Sequence, residues 1–171
     1  MKTGVTVSRP EHPQKRVVER PQQSEKMILS VCVKLNEIYS QGRKFNWTKP
    51  DACPRCGSVR LWGHGYIMRY FDGFTNGLLL RRYRCPDCGC VIRMKPEGYF
   101  PRFQARIDTI RRCLARRLTG RWCCGMSTSR QRHWLSALRR NIVAVFGTGL
   151  ELMDGFDRLL QLGLTPVSRT I

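Results

Sequence analysis

From Phe103 onward the apolar positions recur with a helical period. Phe103, Ile107, Ile110, Leu114 and Leu118 fall within about 80° on a helical wheel, while Arg112 and Arg116 lie opposite and Arg102 lies toward that side. This predicts an amphipathic helix that ends near Gly120. A short break, Thr119 to Met126, follows, and Thr128-Ser-Arg-Gln131 has the S/T-x-x-E/Q arrangement of a capping box at the head of a second helix. The inner stripe of that helix is Trp134, Leu135, Leu138, Ile142 and Val145. Its opposite face carries Ser129, Arg132, His133, Ser136 and Arg140, interrupted by Val143. Helix, short turn and polar-faced helix is a helix-turn-helix plan over residues 101 to 146.

Upstream the period changes to that of strands. Gly65 to Phe71 (GYIMRYF) and Leu78 to Cys85 (LLLRRYRC) flank the turn-like DGFTNG, a hairpin by composition, and Val91 to Met94 reads as a short closing strand. Before it, Ile28, Val31, Leu35 and Ile38 are helically spaced, so a lead-in helix is expected within residues 27 to 48, with Cys32 in its core. Residues 1 to 26, with Pro10, Pro13 and Pro21 and little apolar periodicity, are expected to form a flexible tail. Residues 147 to 171 shift to an acidic character. Leu152, Phe156, Leu159 and Leu160 form an apolar stripe beside Glu151, Asp154 and Asp157, a helix that either caps the core or docks on another protein.

The strongest chemical signal lies at the two ends of the hairpin. Cys53-Pro-Arg-Cys56-Gly and Cys85-Pro-Asp-Cys88-Gly are two C-P-x-C-G knuckles with 28 residues between them. In each, proline fixes φ, two thiolates point to one side, and Gly57 or Gly89 supplies a turn conformation costly to a residue with a Cβ. A pair of redox motifs or two disulfides is the alternative. The chain starts with MKTGVTVSRP, which has no apolar segment to send it to an oxidising compartment, so the thiols are expected to be reduced. The expectation is one structural, non-catalytic Zn2+ per chain, held by Cys53, Cys56, Cys85 and Cys88 in a zinc ribbon over residues 49 to 98 with little apolar core of its own. Cys90 reads as a half-buried strand residue and His64 as a hairpin surface residue. Cys113, Cys123 and Cys124 read as packing residues, and Trp122 as a core plug or a stacking surface.

Charge then selects a partner. Lys and Arg number 31 against 12 acids, a formal charge of +19, and 24 of the 31 are arginine, whose planar fork suits phosphate and guanine edges. Residues 102 to 140 hold eleven arginines and one acid, Asp108. The candidate DNA contacts are therefore Arg102, Arg112, Arg116, Ser129, Arg130, Arg132, His133, Ser136 and Arg140. Arginines near the knuckles (Arg55, Arg60, Arg69, Arg81, Arg82 and Arg84) can instead offset the net charge of four thiolates and Zn2+, formally −2. No apolar run approaches the roughly 20 residues of a membrane span.

The order C-P-R-C-G-S, R-Y-R-C-P-D-C-G, Tyr99-Phe-Pro-Arg-Phe103, and an Arg-rich helix pair with Ser127-x-Ser129 ahead of Trp134-Leu135 resembles the DNA-recognition portion of bacterial insertion-sequence transposases and their small companion proteins. The likeness covers roughly residues 49 to 146. It departs from the usual three-helix form, because Thr119 to Met126 is too short for a second helix and a turn. The resemblance implies sequence-directed binding to the ends of a mobile element, with the four knuckle cysteines as ligands and the helix from Ser127 as reader. A transposase nuclease would need converging carboxylates, yet Asp108 is the one acid between Glu97 and Glu151, and His12, His64 and His133 are isolated. The chain is thus expected to be a small α+β, non-enzymatic, zinc-dependent DNA-binding protein of the bacterial cytoplasm and nucleoid. Double-stranded DNA is the expected partner and a transposase a candidate one, with neither membrane nor small-molecule substrate. The alternatives are a protein-interaction module with nonspecific nucleic-acid binding, or a small transcriptional regulator.

Overall fold

The computed structural model describes residues 27–169; the tail expected over residues 1 to 26 lies outside them. Four strands form one sheet: β1 (Met27–Val31), β2 (Trp62–Arg69), β3 (Leu78–Arg84) and β4 (Val91–Pro96), in the order β1-β4-β3-β2. The expected hairpin is β2 and β3, which pair antiparallel with Ile67 opposite Leu80 and Arg69 opposite Leu78. Its register slips by one residue between Gly63 and Tyr66, where Gly65 takes φ of 73°. That left-handed conformation, cheap for glycine, lets β2 bulge and bend toward the first knuckle. The closing strand β4 pairs antiparallel with β3, with Tyr83 opposite Ile92.

Residues 27 to 40 do not form one helix. Met27 to Val31 are a strand lying parallel to β4, with Met27 opposite Ile92 and Val31 opposite Pro96, and the helix α1 is confined to Leu35–Gln41, followed by a 3-10 turn at Gly42–Lys44. The free edge of β4 offers a row of hydrogen-bonding groups, and pairing with them outweighs the helical spacing of Ile28 and Val31. Cys32 falls in the extended link between β1 and α1 and is exposed, not a core residue.

The sheet has a larger core than the sequence suggests. Leu61, Phe71, Leu78, Leu80, Tyr83, Ile92 and Met94 are buried within residues 49 to 98, and Ile38 and Trp47 join them from the lead-in segment. Each such side chain contributes about 1.5–3 kcal/mol on burial. The Tyr83 hydroxyl also donates to the Trp47 carbonyl at 3.3 Å, tying the lead-in to β3. A metal ion therefore adds to a hydrophobic core and does not replace it.

Three helices, α2 (Ile107–Leu118), α3 (Thr128–Phe146) and α4 (Leu152–Gln161), enclose a second core. Its centre is Ile110, Leu114, Trp134, Leu138, Ile142, Phe156 and Leu159. The first of these helices begins at Ile107, four residues after Phe103, because Arg102 has φ of 69° and the chain there bonds elsewhere, Ile107 N–H donating to the Gly98 carbonyl at 2.8 Å. Leu118 and Val145, expected on inner stripes, are exposed at the helix ends. The acidic helix α4 caps the core within the chain: Phe156 and Leu159 are fully buried, and Arg111 of α2 grips Asp157 through two hydrogen bonds of 3.0 and 2.7 Å. Asn141, buried on α3, donates to the Pro166 and Ser168 carbonyls and holds the segment after α4 with Val167 inside.

The start of α3 differs in detail from the capping box. Its N-cap is Ser127, whose side chain accepts from Arg130 N–H, so Gln131 sits one position too far along to reach back to the cap. Gln131 is instead buried. Its amide accepts from Cys123 N–H and donates to the Cys123 and Met126 carbonyls at 2.9–3.0 Å, fixing the break between α2 and α3.

Candidate metal centre and basic surfaces

The two knuckles adopt the same backbone. Cys53 N–H donates to the Ser58 carbonyl and Gly57 N–H to the Cys53 carbonyl, each at 2.8 Å; Cys85 N–H donates to Cys90 and Gly89 N–H to Cys85, each at 3.0 Å. Gly57 and Gly89 have φ of 74° and 69°, which closes each turn and turns both sulfurs inward. Cys90 thus occupies the place in the second knuckle that Ser58 has in the first; it is fully buried rather than half-buried.

The Sγ atoms of Cys53, Cys56, Cys85 and Cys88 all lie within 4.8 Å of one another, with Cys53–Cys88 and Cys56–Cys85 both at 3.6 Å. Those separations are far outside disulfide bonding. They approach the edge of about 3.8 Å expected of a tetrahedron whose metal–sulfur bonds are about 2.3 Å. The thiols also share their protons unequally. Burial raises the Cys53 thiol, but backbone N–H groups of Arg55 and Cys56 and the side chains of Cys88 and Cys56 outweigh it and bring it down to about 7. Cys85 is lowered chiefly by the Cys88 backbone N–H. For Cys56 the Ser58 backbone N–H lowers the value, yet the crowding sulfurs and burial drive it up to about 12. Four sulfurs this close cannot all be anionic without a cation among them. The cluster can hold a metal ion.

A clamp that the sequence did not disclose locks the knuckles together. Asp87 in the second knuckle accepts from the Ser58 hydroxyl and from the Arg60 guanidinium, both just beyond the first, and these two partners hold its carboxyl below the usual range. The Asp87 side chain therefore braces one ligand pair against the other.

The arginines divide into those with internal partners and those without. Among the candidate contacts, Arg102, Arg112, Arg116, Ser129, Arg132, His133 and Ser136 are exposed. Arg130 is half-buried: its Nη1 lies 2.9 Å from Asp72 Oδ1, and its guanidinium sits over the Trp134 ring. Arg140 donates to the Arg169 carbonyl at 2.9 Å. Arg130 and Arg140 thus have partners within the fold, which no local sequence signal marks. Trp122 neither plugs the core nor stands free. It is half-buried, with Arg117 of α2 over its ring at 4.0 Å and Arg132 of α3 at 5.4 Å. Cys113 and Cys123 are buried as expected, whereas Cys124 is exposed.

Just before the sheet, Arg60 is committed to Asp87, and on β3 Arg81 lies over the rings of Tyr66 and Tyr83. The space for Arg81 comes from Gly63, where a Cβ would lie 2.1 Å from the guanidinium. Among the described residues Arg82 and Arg93 have no such partner.

In comparisons with known proteins, no family model, curated protein or solved structure matches this chain. Fold and site define a small α+β protein whose described residues form one four-stranded sheet and four helices, with a four-cysteine cluster able to bind a metal ion. Among the described residues no helix is long and apolar enough to cross a membrane.

Proposed function

We propose that this chain is a non-enzymatic, zinc-dependent DNA-binding protein. In this reading residues 49 to 98 act as a zinc ribbon and residues 101 to 146 as a helix-turn-helix-like reader, of the kind used by mobile-element transposases or their companions. Zinc is favoured over other ions by a four-thiolate donor set at near-tetrahedral spacing.

The observation that carries the DNA-binding reading is the stack of Arg117, Trp122 and Arg132. It gathers cationic side chains from α2 and α3 on one indole at the break between the helices. The exposed face of α3 continues from there through His133 and Ser136, while Arg112 and Arg116 lie exposed on α2. Like charges are gathered at this surface with few carboxylates to neutralise them, as a polyanion site requires. In this arrangement Arg132 reads base edges, for which a bidentate guanine contact discriminates by about 1–3 kcal/mol, and Arg116 grips the backbone. The interaction-module alternative is disfavoured because α4 turns Phe156 and Leu159 into the protein's own core.

Selection of bound fragments from random duplex DNA, followed by competition binding, tests the proposal. Arg132→Ala should relax preference among sequences, and Arg116→Ala should weaken all sequences alike. Equal, sequence-independent losses in both variants would remove α3 as the reader, and absence of any duplex binding would end the proposal.

A further inference from the structure

Arg82 on β3 and Arg93 on β4 are direct partners across an antiparallel pair, an arrangement in which like charges repel. The Nε atoms of both are buried and have no hydrogen-bond partner among the described residues. Burial, then the charges of Arg69 and Arg82, hold the Arg93 guanidinium below its usual range. Among the described residues no carboxylate forms an ion pair with any of the three. The neighbouring charges that act on Arg93 are thus cationic. One fork passes the bulge of β2: Arg82 Nη2 lies 3.8 Å from where a Cβ on Gly65 would be, an ordinary contact distance.

We infer that Arg69, Arg82 and Arg93 form a binding site on the sheet for the phosphate backbone of duplex DNA, a contact separate from the one on the helices. The inference rests on the DNA-binding reading above and extends it to the metal-bearing half of the molecule. Arg82 and Arg93 sit on neighbouring strands, about 4.8 Å apart, and Arg69, opposite Leu78 on β2, is near enough for its charge to act on Arg93; their forks offer several N–H donors to tetrahedral phosphate oxygens. A bound phosphate supplies the missing negative charge and accepts from whichever N–H groups of the forks reach the surface. A single carboxylate would leave most of these donors and two of the three charges unmatched. The arginine side chains keep this arrangement in the free protein at the expense of mutual repulsion, which the anion relieves.

The test measures binding of a labelled random-sequence duplex by fluorescence anisotropy across a salt series, with the zinc-loaded full chain. Three proteins are compared: wild type, Arg82→Gln/Arg93→Gln, and the helix variant Arg112→Gln/Arg116→Gln. The sheet variant is expected to lose affinity about tenfold and to flatten the slope of log K against log salt by about 2, at about 0.9 per phosphate contact. Without DNA its thermal midpoint should equal or exceed that of wild type, because the repulsion is gone. If the sheet variant binds with the wild-type slope while the helix variant is weakened, the sheet site is wrong and the DNA-binding reading stands. If wild type binds no duplex, both fail. Should the sheet variant lose zinc or fold, Arg69→Gln, at an exposed position, decides: a slope flatter by about 1 supports the site and an unchanged slope overturns it. Inorganic phosphate distinguishes the source of the anion. If it stabilises wild type but not the sheet variant and duplex does neither, the site takes free phosphate and the backbone assignment is overturned, as it is by preference for RNA of equal length.

Discussion

Arg130, in the first turn of α3, reaches Asp72 in the turn between β2 and β3, Nη1 to Oδ1 at 2.9 Å. The pair joins the sheet to the helices. The same turn is held from behind, where Asp72 N–H donates to the Gln104 carbonyl at 3.1 Å. Both charged side chains are about two-thirds shielded, so the pair stands between a surface bridge and a buried one. A double-mutant cycle with Asp72→Ala and Arg130→Ala should give a coupling of about 0.5–1 kcal/mol in thermal or denaturant unfolding, reduced at high salt. A coupling of zero would mean that the bridge does not fix the sheet against α3.

Elemental analysis should find one zinc per chain, and a chelator should remove it with a fall in the unfolding midpoint. Cys53→Ser and Cys88→Ser should each lose the metal and destabilise by several kcal/mol. Because the helices enclose a separate core of Ile110, Leu114, Trp134 and Leu138, the helical half should retain its far-ultraviolet signal after chelation. Variants that keep both metal and midpoint would rule the site out.

Gly155 on α4 faces Ile142 on α3 so closely that a Cβ would lie 2.3 Å from Cδ1 and 2.6 Å from Cγ1. Alanine gains about 1 kcal/mol of helix propensity over glycine, while overpacking a close helix contact costs about 1–3 kcal/mol. Gly155→Ala should therefore lower stability by up to about 2 kcal/mol, the packing term prevailing over the propensity gain. Combining it with Ile142→Ala, which removes the obstructing atoms, should cost less than the sum of the two changes, and strict additivity would contradict the contact.

Lys95 is buried and donates to the Tyr99 and Phe100 carbonyls, the latter at the entrance to the helical core. Burial draws its ammonium down to about 8, whereas an unfolded lysine titrates near 10.4. Between those values the unfolded chain holds the extra proton. Stability should thus rise with pH from about 8 to about 10.4, by on the order of 1–2 kcal/mol given the partial solvent access. Lys95→Met should remove that rise relative to wild type in pH-dependent denaturant unfolding. Parallel curves for the two proteins would show that Lys95 stays charged throughout.

The sequence by itself determined what depends on neighbours a few positions apart. The knuckles were legible because Cys, Pro, Cys and Gly act within one turn, and a ligand pair three positions apart needs no long-range information. The β2–β3 hairpin, the break at Thr119 to Met126 and the amphipathic α3 were legible for the same reason: their turns and periods are local. Tertiary structure decided the rest. Ile28 and Val31 have helical spacing but lie in a strand, because the exposed edge of β4 is a partner that the local pattern cannot display. The same is true of side-chain roles. Arg130 and Arg132, two positions apart on one helix, read alike as charges. Arg130 is committed to Asp72, 58 residues away in the chain, while Arg132 stays at the surface over Trp122. Likewise Arg82 and Arg93 became a pair when strand register set them opposite each other. Hydrogen bonds and charges across the fold depend on distance in space, which spacing along the chain encodes only within a turn or a period.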